Sequence, residues 1–93
     1  MPKRIAVLVT HDFEDSEYTE PVEAFRAARH CISNIEHQAG NVVYGKRRKS
    51  SVTIDQSIDH VSIHDFDALL IPGGYSPDRL RADDRYVEFV RDF

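Results

Sequence analysis

Ile5-Ala6-Val7-Leu8-Val9 is an unbroken run of apolar, largely β-forming residues. A strand with one wet face alternates apolar and polar side chains. A continuous run marks a strand covered on both faces, the signature of a parallel sheet. Ala68-Leu69-Leu70-Ile71 has the same character and stops abruptly at Pro72-Gly73-Gly74. Proline cannot continue a ladder, and two glycines let the backbone turn sharply.

The intervening segments supply the other elements. An acidic loop follows the first run and leads into a helix, with Ser16 or Thr19 as its cap and Pro21 in an early turn. Tyr18, Val22 and Phe25 share one face, and the helix is predicted to end near Arg29-His30. Cys31 to Ile35 reads as a poor strand, because Ser33 and Asn34 suit a buried ladder badly. Val42-Val43-Tyr44 and Ser51-Val52-Thr53-Ile54 form a predicted hairpin around Gly45 to Ser50. Ser62-Ile63-His64-Asp65 fits a capping box over one short turn. Ser76 is placed to cap a helix with Pro77 at its first position. A second helix starts at Asp83 and carries Tyr86, Val87, Val90 and Phe93 as an apolar stripe. This order defines an α/β fold. Ligands in such sheets sit beyond the carboxyl ends of the strands, which here means Thr10 to Glu17 and Pro72-Gly73-Gly74.

The 93 residues allow one domain, and 41% apolar with 30% charged residues excludes wholesale disorder. A single cysteine rules out an internal disulfide and fits a reducing cytosol. Lys3-Arg4 before the first apolar run imitates a signal peptide, but His11-Asp12 ends that run too soon. No stretch approaches the roughly 20 apolar residues of a membrane span. A cytoplasmic location with no membrane partner is the expectation. Lys46-Arg47-Arg48-Lys49 is a compact basic run, read as a solvated hairpin tip rather than the broad basic face that nucleic acid needs.

Asp12 to Glu23 holds six acids and no base. Glu14 and Glu17, three residues apart at a helix start, can converge. A carboxylate pair in a cleft raises one pKa and leaves a carboxyl able to donate. Equally, acids at that place stabilise a helix N-terminus. Free N–H groups at Gly73 and Gly74 suit an oxyanion, or simply make a tight turn. There is no GxGxxG and no phosphate loop, and no cofactor is expected. His60 and His64 have the i, i+4 spacing of a metal pair but no third ligand, so they read as surface histidines and no metal is expected. Cys31 reads as a small buried apolar side chain.

Phe13-Glu14-Asp15-Ser16-Glu17, Pro21, Phe66 to Gly74 and Ser76-Pro77-Asp78-Arg79-Leu80-Arg81 together resemble the ThiJ/PfpI family. The likeness runs from about Lys3 to Phe93 and is greatest to the bacterial stress-response branch, the PfpI-type intracellular proteases also described as protein deglycases. It implies a flavodoxin-like, class I glutamine amidotransferase-like sandwich with a cysteine nucleophile at a strand-to-helix elbow, followed by histidine. By resemblance, Glu17 matches the glutamate that holds the nucleophile, and Glu14 a second acid lining the pocket. Gly74, with Gly73, matches the oxyanion-hole backbone. Asp78 matches an acid completing a Cys-His-acid triad across a subunit interface, and Lys46 a basic residue on the hairpin.

Several positions depart from that pattern. No Cys-His pair is present, and Arg29 and Arg48 stand where glycine is expected. The resemblance implies the N-terminal half, residues 1–93, of a single truncated ThiJ/PfpI domain. The expected function is that of a thiol-dependent hydrolase or deglycase for peptides or carbonyl adducts, lacking its nucleophile and inactive alone. The alternative is a non-catalytic protein pairing with itself or an intact paralogue through an open apolar side. A receiver-like acidic site would need an aspartate where Pro72 stands. Half a sandwich forgoes apolar burial worth about 25 cal/mol per Å2, against a usual net stability of roughly 5–15 kcal/mol. The chain is therefore expected to be marginal, or to associate.

Overall fold

A computed structural model describes residues 2–93 of the chain. Strand β1 (Arg4–Leu8) lies inside a parallel sheet of order β5-β2-β1-β6, with β2 (Cys31–Glu36), β5 (Gln56–Ser57) and β6 (Ala68–Leu70). Ile5 stands opposite Ile32 on one side and Ala68 on the other. Helix α1 (Asp15–Ala27) connects β1 to β2, and an antiparallel hairpin of β3 (Val42–Tyr44) and β4 (Ser51–Thr53) follows. Two single 3-10 turns, Ile58–His60 and Ile63–Asp65, precede β6, and α2 (Ser76–Arg81) and α3 (Asp84–Asp92) end the chain.

The unbroken apolar run has a direct explanation. Ile5, Val7 and Val9 point into one core with Phe13, Tyr18 and Val22 of the α1 side and Val43, Val52 and Ile54 of the hairpin. Ala6 and Leu8 point into the other, with Ile35, Phe66, Leu80, Tyr86 and Phe89. Each face of β1 is covered, so neither can be polar.

The poor strand is the longest in the sheet, six residues. Its awkward Asn34 is buried because every polar group there has a partner. The Tyr18 hydroxyl donates to Asn34 Oδ1 at 2.9 Å, Asn34 Nδ2 donates to the Thr53 carbonyl at 3.3 Å, and the Asn34 N–H donates to Asp55 at 2.7 Å. A buried amide so satisfied ties helix, sheet and hairpin together. Cys31, expected inside, is exposed at the N-terminal rim of β2.

Helix ends correct the sequence reading in three places. Helix α1 begins at Asp15, not after Ser16 or Thr19, with Glu14 as an N-cap that makes no side-chain cap bond. Pro21 is then the seventh helical residue, so the Glu17 carbonyl loses its i+4 donor. The helix stops at Ala27, and Arg29 takes φ +66°. There the Arg29 N–H donates to the Arg26 carbonyl and the His30 N–H to the Phe25 carbonyl, the paired bonds of a Schellman ending. Arg48 likewise has φ +57°. Both arginines thus occupy the left-handed geometry that favours glycine. Ser76 does not cap α2; it is the first helical residue, buried, and its Oγ accepts from the Thr10 N–H at 2.9 Å. The capping box at Ser62 and the Asp83 cap of α3 form as expected.

The last stripe divides. Tyr86 is buried together with Phe89, whereas Val87, Val90 and Phe93 are each 40–44% exposed. Beside them β6 pairs only with β1 among the described residues, and Ile71 is exposed. His60 and His64 fall on separate 3-10 turns, so the helical i, i+4 relation between them does not arise. No helix among the described residues is long and apolar enough to cross a membrane.

Candidate functional site

Strand order reverses around β1, because β2 lies on one side and β6 on the other. The loops leaving β1 and β6 therefore meet at the carboxyl edge of the sheet. An antiparallel bridge between Phe13 and Gly74 joins them: the Glu14 N–H donates to the Gly73 carbonyl and the Tyr75 N–H to the Asp12 carbonyl, both at 2.9 Å. Phe13 is fully buried beneath, 5.6 Å from the Tyr18 ring, and anchors the loop. Asp12 adopts φ +65° and pairs with Arg79 of α2 at 2.6 Å.

Backbone contact dictates Gly74, whereas Gly73 faces only the tip of a side chain. Gly74 has φ +88°, and a Cβ there would lie 2.6–2.9 Å from the backbone of Asp12, Phe13 and Glu14. At Gly73 a Cβ would lie 2.2 Å from Glu17 Oε1. That close approach is functional in form: the Gly73 N–H donates to Glu17 Oε1 at 2.9 Å. Gly73 is therefore already engaged, whereas the Gly74 N–H makes no hydrogen bond among the described residues.

Glu14 and Glu17 do not act as a self-repelling pair. Glu14 turns to the hairpin, with Oε2 2.8 Å from Lys46 Nζ and Oε1 2.9 Å from Arg47 Nε. Hydrogen bonds from Lys46 and then Arg47 hold the Glu14 carboxyl below the ordinary glutamate range, so Glu14 is not the raised member of a repelling pair. Lys46 Nζ also lies 5.6 Å from the centre of the exposed Tyr75 ring.

The residues singled out in sequence thus separate into two groups. Glu14, Glu17, Gly73, Gly74 and Lys46 come together at the crossing of the two loops. Asp78 lies apart from them, on the exposed first turn of α2, where it pairs with Arg81.

Two sets of residues at this edge escaped sequence reasoning. One is Asp15, buried and bound by the hairpin tip. Burial alone would push its carboxyl up, but the Ser50 hydroxyl and the Arg47 and Lys49 N–H groups outweigh this and hold it below the ordinary aspartate range. The other is a polar chain in which Thr10 Oγ1 donates to Glu36 Oε2 at 2.7 Å, Glu36 Oε1 accepts the His37 N–H, and the Tyr86 hydroxyl lies 2.5 Å from His37 Nδ1. Burial pushes the Tyr86 phenol above its ordinary range, so it stays protonated. Neither set had a local signal: apart from the adjacent Glu36 and His37, the partners come from distant elements.

The fold and the site thus define a parallel α/β layer whose two carboxyl-edge loops set an acid against a glycine turn. Residues 3–93 match the DJ-1/PfpI family, and the chain belongs to it. Over all 93 residues it is 59% identical to protein/nucleic acid deglycase 2 of Escherichia coli and 58% identical to general stress protein 18 of Bacillus subtilis, covering 54% of each. The chain thus spans about half the length of the curated relatives it matches. Among solved structures, a two-domain protein of Anabaena variabilis with DJ-1/ThiJ/PfpI-like and ferritin-like domains superposes with TM-score 0.92 at 29% identity. That likeness covers 97% of this chain and 26% of the other.

Proposed function

We propose that this chain supplies the acid-and-amide half of a thiol-dependent pocket, of a cytoplasmic stress-response hydrolase or deglycase acting on peptides or carbonyl adducts. The observation that carries this reading is the Glu17 carboxylate fixed on the Gly73 N–H at 2.9 Å beside the unengaged Gly74 N–H. In such chemistry a thiolate adds to a carbonyl carbon and the π pair moves to oxygen, where an N–H donor receives it. Gly74 is the donor in that role, Glu17 holds the thiol, and Glu14 lines the wall. The 93 residues contain no Cys-His pair, so no turnover is expected from them alone. The name of the Escherichia coli relative, a deglycase, supports the reaction class, and that of the Bacillus subtilis relative, a general stress protein, supports the stress role.

The test is a chimera that continues this chain with the remaining C-terminal part of the Escherichia coli relative. Thiol-dependent removal of methylglyoxal adducts from a peptide is expected, and Glu17→Ala should abolish it. A folded chimera without turnover, or one indifferent to Glu17, refutes the reading.

A second reading, self-association or pairing with an intact paralogue, is favoured by the open edge of β6. An open groove of about 540 Å3 lies beside it, lined in part by Ile71, Leu80, Tyr86, Val87 and Val90. Apolar surface of this kind seeks cover. Melting temperature rising with protein concentration is expected; a sharp, concentration-independent melt of a sedimenting monomer removes this reading.

A further inference from the structure

The basic run Lys46-Arg47-Arg48-Lys49 is exposed, as expected of a hairpin tip, but its backbone is not loose. It closes around one buried carboxylate. Asp15 Oδ1 accepts the Arg47 N–H at 3.0 Å. Asp15 Oδ2 accepts the Lys49 N–H at 3.2 Å, the Ser50 N–H at 3.0 Å and the Ser50 hydroxyl at 2.8 Å. Gly45 is seated against the same group, where a Cβ would lie 2.1 Å from Oδ2. The Lys46 N–H donates to the Phe13 carbonyl at 2.9 Å, which ties the tip to the site loop as well.

These contacts fill the acceptor positions of Asp15 and leave it no chemistry of its own. Their effect is on geometry. The backbone of Arg47 is fixed by Asp15 and that of Lys46 by Phe13, and both side chains then reach the Glu14 carboxylate. Glu14 and Asp15 are adjacent at the start of α1, so one helix end carries both the pocket wall and the anchor of its cations.

We propose that Asp15 is a positioning residue, acting through the 45–50 turn to place Lys46 and Arg47 against Glu14. This rests on the reading of Glu14 as a pocket wall and deepens it: the wall is a cation-clamped carboxylate, not a proton donor. Carboxylates held by charged donors stay ionised.

Carbon-detected titration of the Glu14 carboxyl by NMR, in the 93-residue chain, tests the proposal. An asparagine at position 15 keeps one oxygen. With that oxygen on the side of the three donors, its amide nitrogen faces the Arg47 N–H, and that bond is lost. In Asp15→Asn the Arg47 amide resonance should therefore shift. Asp83, on the other face and held at about 2 by Arg85, should keep its midpoint. Ser50→Ala removes one of the four donors and should raise the Glu14 midpoint. Asp15→Asn also removes a neighbouring negative charge, which by itself lowers the Glu14 midpoint, so the charge-preserving Ser50→Ala decides: a folded Ser50→Ala protein with an unmoved Glu14 midpoint overturns the proposal. Because the readout needs no turnover, it succeeds or fails independently of the chimera experiment.

Discussion

Arg29 is the clearest place to improve this chain. It holds φ +66° at the end of α1, where the two Schellman bonds require a left-handed residue. A side chain in that conformation costs roughly 1–2 kcal/mol. The arginine offers nothing in return: it is exposed, and the ion pairs among the described residues do not include it. Glycine removes the strain but gains about 0.4–1 kcal/mol of extra freedom in the unfolded chain. The net expectation for Arg29→Gly is a stabilisation centred on about 0.8 kcal/mol, between about 0 and 1.6, or a melting temperature raised by roughly 3–6 °C at that centre in a domain of this size. Thermal and urea melts followed by circular dichroism measure it, with Arg29→Ala as the control. Alanine deletes the same side chain yet keeps the strained Cβ, so it should gain little. Equal melting of the alanine and glycine variants would refute backbone strain as the cause.

Arg48→Gly should stabilise less than Arg29→Gly in the same melts, because Arg48 also lies over the Tyr44 ring at 5.8 Å and that contact is lost. Phe13→Ala, at the fully buried anchor of the site loop, should cost about 3–5 kcal/mol; a loss under about 1 kcal/mol would mean that the loop is not anchored there. The acid limb of stability has a defined sign. The side-chain and backbone hydrogen bonds of Arg85 hold Asp83 at about 2, so its contribution is whole above the ordinary aspartate range near 3.9 and is lost as pH falls from there through about 2. Asp83→Asn should flatten the melting-temperature profile over that window, and an unchanged profile contradicts the Arg85 pairing.

Burial on both faces writes itself into a strand, and so β1 was legible: Ile5–Val9 had nowhere to place a polar side chain. The hairpin and the cap at Asp83 were legible for a similar reason, since turn chemistry and capping are local. Strand β2 was only half legible. Asn34 argues against a buried ladder until its partners are known, and they lie 16 to 21 residues away in Tyr18, Thr53 and Asp55. The start of α1 misled for a related reason. Ser16 and Thr19 are good caps, but Asp15 is drawn into the hairpin tip, and this sets the first turn of the helix.

At the site, residue types were legible and pairings were not. Six acids between Asp12 and Glu23 suggested carboxylates that repel one another. In the folded chain each acid of the loop has its own counterpart: Asp12 has Arg79, Glu14 has Lys46 and Arg47, Asp15 has the N–H groups of the basic tip, and Glu17 has the Gly73 N–H. The acidic run and the basic run, which looked like two separate peculiarities of charge, meet at Glu14 and Asp15. Their separation in sequence hides this, since Glu14 and Arg47 are 33 residues apart and Glu17 and Gly73 are 56 apart. Only the sheet, by stacking the β1 loop, the β6 loop and the hairpin at one edge, brings them within reach. Once brought together, they convert a self-repelling loop into a neutralised one, in which an acid against a glycine turn can be held still.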